Sequence, residues 1–153
     1  LSTSGIVPGI YRLADEGLQV NLAVSLHAAM DDLRSELMPI NRRYPLDALF
    51  KALYVYLTKT NRRVTFEWVM IDGVNDTLQQ AEALSARLAG MLAHVNLIPL
   101  NPSTGYKGQP SAPERIEAFT AVLDRHHIPY SVRLRRGIDI RAGCGQLRRR
   151  EST

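Results

Sequence analysis

The chain has 153 residues, 45% of them hydrophobic and 22% charged, which is the length and composition of one domain with a real core rather than of a disordered segment. Its four scattered histidines and single cysteine, Cys144, exclude an intrachain disulfide and match no zinc or iron–sulfur ligand spacing. The net charge of +4 is uneven, because Arg133 to Arg150 holds seven arginines against Asp139 alone and leaves the rest of the chain at −2; positive charge gathered in this way is the footprint of a polyanion such as RNA or DNA.

In chain order, Ser2, Thr3 and Ser4 precede a helix expected from Ile6 to Ala14, with Pro8 in its first turn and the hydroxyls as caps. Val20 to Leu26 reads as a short apolar strand that ends abruptly in Ser25, Leu26 and His27. Leu33 and Leu37 mark a helical turn closed by Pro39. Leu46, Leu49, Phe50, Leu53, Tyr54 and Leu57 then recur at helical spacing. Val64 to Ile71 is the clearest strand, with Val64, Phe66, Trp68 and Met70 on one face and Glu67 on the other. Gly73 to Asp76 forms a turn, and Asp76 or Thr77 is positioned to cap a helix that carries Ala81, Leu84, Leu88 and Met91. His94 to Leu100 is the next strand and ends at Asn101. A polar loop from Ser103 to Pro113 leads to a helix with Ile116, Phe119, Val122 and Leu123 inward, and Ile128 to Leu134 is the last strand. His126 and His127 close that helix and read as structural.

Strands alternating with helices imply an α/β fold of parallel βαβ units, and such sheets seat ligands beyond the carboxyl ends of their strands. The rule selects Ser25, His27, Glu67 or Asp72, Asn101 and the loop bearing Cys144. His27 suits a hydrogen bond to a ligand or a proton shuttle near neutral pH, and equally a histidine satisfied by backbone. Asn101, before Pro102, suits a turn as well as a ligand contact. Glu67, inside a strand, is expected to be structural, paired with an arginine in the interior of a barrel. No GxGxxG, GxxxxGK[ST] or GxSxG motif is present, which removes the dinucleotide, P-loop and hydrolase readings. Cys144 lies between Gly143 and Gly145 among arginines, where guanidinium charge favours the reactive thiolate and glycine lets a loop approach a substrate.

Taken together, LSTSGIVP, AVSLHA, MPINRRYPL, FEWVMIDGVND, VNLIPLNP and RRGIDIRAGCGQL resemble the radical S-adenosylmethionine adenine methyltransferases of ribosomal RNA and tRNA, nearly end to end and in order. The resemblance implies the C-terminal part of a partial (β/α)6 TIM-like barrel, with residues 1–153 as one domain and the part bearing the cluster motif upstream of it. It implies that Ser2, the Ser25-Leu26-His27 tripeptide and Asn101 contact S-adenosylmethionine. Cys144 matches the cysteine that accepts a methyl group from one S-adenosylmethionine; a radical made from a second one then activates that methyl for addition to carbon 2 of an adenine. The 4Fe-4S cluster of the family is ligated by a CxxxCxxC motif, which this chain lacks, so the chain alone is expected to be inactive. The implied partners are 23S ribosomal RNA, tRNA and an electron donor such as flavodoxin, for a monomer in the cytoplasm with no membrane segment. Arg135, Ile138, Arg141 and Gly143 depart from the family's usual residues in the last motif. Other readings are methylation at carbon 8 of the same adenine, an RNA-binding module without chemistry, and a separate thiol-dependent enzyme.

Overall fold

A computed structural model describes residues 1–101 and 106–133, so Cys144 and all of the basic stretch except Arg133 lie outside the described residues. The elements follow one another as β1 (Ser2–Thr3), α1 (Val7–Asp15), β2 (Leu22–Ser25), α2 (Asp31–Leu37), a 3-10 turn (Pro39–Arg42), α3 (Leu46–Thr60), β3 (Val64–Met70), α4 (Leu78–Leu88), β4 (Ala93–Pro99), α5 (Pro113–Arg125) and β5 (Tyr130–Val132). The five strands are all parallel and lie in the sheet in chain order. With right-handed crossovers, that order puts every connecting helix on the same face of the sheet and leaves the other face to curl inward, as in a barrel.

Side-chain burial agrees. On β3, Val64, Phe66, Trp68 and Met70 are fully buried, while Thr65, Glu67 and Val69 are not; β2 and β4 alternate in the same way. A parallel sheet covered on both faces reads as an unbroken apolar run, so this alternation marks a sheet with one face packed and one face free. The packed face meets the helices through aromatic contacts. Phe66 stacks on Phe50 of α3 with ring centroids 5.6 Å apart, and Trp68 tilts against Phe119 of α5 at 5.5 Å.

The helices form for local reasons. In α3 the residues Leu46, Leu49, Phe50, Leu53 and Tyr56 line the buried side. Tyr54 is half exposed, contrary to its place in the apolar series, and the buried tyrosine is Tyr56, whose hydroxyl bonds the Val20 carbonyl. The first-turn amide of Leu46 finds Asp31 Oδ1 at 2.9 Å, and Asn61 ends the helix in the left-handed conformation at φ 51°. Thr77 caps α4 by accepting from the Gln80 amide, whereas Asp76 holds the preceding turn through the Gly73 amide. At α1 the expected hydroxyl cap does not form: Thr3 Oγ1 accepts from the Gly5 and Ile6 amides, upstream of the helix. Met91 falls beyond the end of α4. β2 is also shorter than the expected Val20 to Leu26.

Candidate cofactor site

The carboxyl ends of β2 and β3 are knotted together by a short polar network. Residues just past β2 turn sharply, and His27 takes a left-handed backbone at φ 58°. Its Nδ1 accepts from the Val69 amide at 3.1 Å, and its carbonyl accepts from Asn75 Nδ2 at 2.8 Å. Asn75 is fully buried and also bonds the Ile71 amide and the Val69 carbonyl, so the turn after β3 carries the turn after β2. Because Nδ1 is an acceptor, the imidazole proton resides on Nε2 and points away from that backbone contact. Burial, with the Arg34 charge second, pushes the His27 pKa down to about 4. His27 is thus a neutral hydrogen-bond donor across the physiological range, and the expectation of a proton shuttle near neutral pH is corrected.

Arg34 is one of the buried polar residues that sequence reasoning missed. Leu33 and Leu37 mark the helical turn in the sequence, yet both are only half-buried, and Arg34 between them is wholly buried. Its guanidinium donates from Nε to the Leu26 carbonyl at 3.2 Å and from Nη2 to the Ser4 and Ser25 carbonyls at 2.9 and 3.2 Å. Nη1 donates to Asn41 Oδ1 at 2.8 Å. Asn41 in turn donates to Asp31 and Ser35 and so fixes the 3-10 turn. One buried cation therefore binds the ends of β1 and β2 to the segment that leads into α3. Gly5 makes room for it: at φ 103°, a Cβ there would come within 3.1 Å of Arg34 Nη2.

The residues singled out from sequence fall as follows. Ser2 is exposed on β1 and shares the free face of the sheet with its register partner Ala23. Ser25 ends β2 on the same face, opposite Glu67 of β3, and its hydroxyl has no partner among the described residues. Leu26 is fully buried, with its amide on the Glu67 carbonyl and its own carbonyl on Arg34, so it anchors the two polar residues beside it. Asn101 is exposed just past β4. Asp72 follows β3, where its amide meets the Gln109 carbonyl. Ser25, His27, Asp72 and Asn101 are thus all at the carboxyl ends of their strands, with Ser2 and Glu67 inside the same free face. Among the described residues Glu67 has no arginine partner; its Oε2 accepts from Asn96 Nδ2 at 2.8 Å on the neighbouring strand.

A donor at His27, an open hydroxyl at Ser25 and a polar sheet face suit a polar organic ligand that enters from the rim. Among the described residues no three His, Cys, Asp or Glu side chains gather as a metal site. With one cysteine in the whole sequence, the chain cannot itself supply the thiolates of a 4Fe-4S cluster.

No family model matches the chain. It is 56% identical over 97% of its length to the dual-specificity RNA methyltransferase RlmN 1 of Myxococcus xanthus, covering 41% of that protein. It is 53% identical over 98% of its length to a probable dual-specificity RNA methyltransferase RlmN of Caldanaerobacter subterraneus, covering 44% of it. The chain therefore spans well under half the length of these relatives. Among solved structures, a radical SAM methyltransferase from Sphaerobacter thermophilus superposes with a TM-score of 0.90 at 56% identity, over 95% of this chain and 42% of that one. A domain of pyruvate-formate lyase-activating enzyme from Bacteroides vulgatus, at 13% identity and a TM-score of 0.67, shares the fold alone.

Proposed function

We propose that this chain, which over nearly its whole length is a homologue of the dual-specificity RNA methyltransferases, forms the C-terminal part of such a radical S-adenosylmethionine enzyme and acts on carbon 2 of an adenine in 23S ribosomal RNA and in tRNA. The observation that carries the reading is the rim of the free sheet face. There a neutral His27, held as the Nε2–H donor, stands two residues from the open Ser25 hydroxyl. In this reading His27 donates to an acceptor on the cofactor, Ser2 and Ser25 add hydroxyl contacts, and Asn101 closes the far side from the end of β4. Leu26 completes the Ser25-Leu26-His27 contact with the cofactor, and Arg34 holds that geometry without touching the ligand.

S-adenosylmethionine supplies an electrophilic methyl group and, together with a 4Fe-4S cluster ligated by cysteines outside this chain, radical chemistry. Cys144 is the chain's own reacting group. With S-adenosylmethionine bound, its thiolate would be the nucleophile that takes the methyl group and becomes S-methylcysteine, with S-adenosylhomocysteine as the leaving group. The arginines of the 133–150 stretch favour the thiolate and bind RNA phosphates, which fix the position of the base without reading sequence. Electrons come from a carrier such as flavodoxin, and the protein works as a cytoplasmic monomer.

The full-length protein, produced anaerobically with its RNA, tests this by peptide and nucleoside mass spectrometry. The expected result is one methyl on the Cys144 peptide and 2-methyladenosine in the RNA, both lost in Cys144→Ala. Methylation that survives Cys144→Ala would overturn the role of the thiol, 8-methyladenosine would move the chemistry to the other carbon, and RNA bound without methylation would leave a binding module.

A further inference from the structure

The connection from β4 to α5 crosses the carboxyl side of the sheet, and its second half is tied down there. The Asp72 amide donates to the Gln109 carbonyl at 2.9 Å, and Pro110 forms an antiparallel bridge with Ile71, so residues 109 and 110 run alongside the chain that leaves β3. Ser111 follows, buried, just ahead of α5. Tyr106 stands out from this anchored stretch with 44% of its surface exposed. Tyr54, the other exposed tyrosine among the described residues, sits midway along the outer helix α3, away from the rim.

What sets Tyr106 apart is that the chain makes a place for its ring. A Cβ added at Gly108 would overlap Tyr106 Cε1 and come within 3.0 Å of its Cδ1 and 3.1 Å of Ile71 Cγ2. The ring therefore occupies the space that a side chain at 108 would take, braced along its Cδ1–Cε1 edge by the Gly108 backbone. Gly108 is not in the left-handed region, so glycine is needed there for room and not for a turn. A ring seated in this way has given up its rotamer freedom before any partner arrives, which lowers the cost of stacking on it. Lys107 beside it is exposed and forms no ion pair among the described residues. An aromatic ring next to a free ammonium, at the end of the molecule where the strands present their carboxyl ends, matches the two surfaces of an unstacked nucleotide, its base and its phosphate.

We infer that Tyr106, seated on Gly108, is a stacking platform for a nucleobase of the RNA substrate, with Lys107 on a neighbouring phosphate. The inference rests on the RNA reading above and adds to it a place where the body of the molecule, apart from its basic stretch, holds the substrate. An enzyme that works on a ring atom of a base must take that base out of its stack, and an aromatic side chain at the entrance offsets part of the stacking that is lost.

The cluster-loaded full-length protein tests this by filter binding to an unmodified 23S ribosomal RNA transcript over a series of salt concentrations, with S-adenosylhomocysteine affinity measured alongside by titration calorimetry. Tyr106→Ala is expected to weaken RNA binding on the order of tenfold, within the range for one base stacked on an aromatic ring, while Tyr106→Phe, which keeps the ring, stays near wild type. The salt slope is expected to be unchanged in Tyr106→Ala, where no phosphate contact is lost, and to fall by about one in Lys107→Ala. Gly108→Ala is expected to reproduce the Tyr106→Ala loss by pushing the ring off its seat, and to cost nothing further when added to Tyr106→Ala. RNA binding by Tyr106→Ala within about twofold of wild type overturns the inference. So do additive losses in the double variant, and so does a loss of S-adenosylhomocysteine affinity with RNA binding intact, which would seat the cofactor's adenine on the ring instead. Wild type that does not bind the transcript overturns the RNA reading itself.

Discussion

His27 combines two properties that pull against each other: it faces a rim where a ligand would enter, yet its pKa is pushed down to about 4 by burial and by the Arg34 charge. Between the ordinary histidine value of about 6.5 and this lowered one, the unfolded chain binds a proton that the folded chain refuses, so stability rises with pH through the window. Folding is unaffected by this group above pH ~6.5 and loses about 3 kcal/mol by pH ~4. The left-handed backbone at φ 58° limits the choice of replacement, and asparagine is the side chain that tolerates it best. Denaturant midpoints measured from about pH 7 to about pH 4.5 are expected to fall less steeply in His27→Asn than in wild type. His94 is also lowered and contributes in the same direction in both proteins, so the difference between the two curves isolates His27. Parallel curves would show that the imidazole is solvated after all.

At the scale of elements, the carboxyl ends of β1 and β2 and the turn before α3 are held by one side chain, that of Arg34. Arg34→Met keeps the length and loses every donor, which leaves the Ser4, Ser25 and Leu26 carbonyls and the Asn41 amide oxygen unpaired in a buried place. The expected cost is at least about 3 kcal/mol in denaturant unfolding, well beyond that of an exposed arginine, and Arg34→Lys recovers only part of it because an ammonium cannot span the same fork. A loss below about 1 kcal/mol would mean that water replaces the guanidinium. The sequence disclosed the elements themselves where a period was strong. Val64 to Met70 announced its two faces through strict alternation, and Leu46, Leu49, Phe50 and Leu53 announced α3. It disclosed Ser25, His27 and Asn101 because apolar runs stop abruptly at them. Arg34, Asn41 and Asn75 were hidden, since a buried polar residue looks like any other until its partners arrive from distant parts of the chain. The one available signal was Gly5, a glycine before a helix, and it speaks of space without saying what fills it. Glu67 was seen to face away from the core, but its partner on the next strand depends on a register that periodicity does not fix.

For the molecule as a whole, the described sheet ends at β1 and β5, and each edge leaves a row of backbone groups unpaired. Its free face carries Ser25, Glu67, His94 and Asn96 where a closed barrel would have facing strands. This 153-residue chain, produced alone, is expected to associate through those edges and to scatter light at micromolar concentration, and the full-length protein is expected to remain monodisperse. Size-exclusion chromatography with light scattering reads the difference. A monomeric 153-residue chain with a single cooperative melt would show that the five-stranded sheet is self-sufficient.

The order of the strands bears on how the molecule is made. Every strand pairs with the one synthesised just before it, so each βα unit leaving the ribosome has its docking surface already in place and waits for nothing downstream. Assembly can thus advance in step with translation. The Arg34 clasp, which joins Ser4 to residues no further along than Asn41, closes among the first contacts, whereas the bonds from Asn96 to Glu67 and from Ser131 to Asn96 form only when β4 and β5 arrive. The ends of β1 and β2 are thus fixed while most of the chain is still to be made, and the cross-strand bonds of the free face come last.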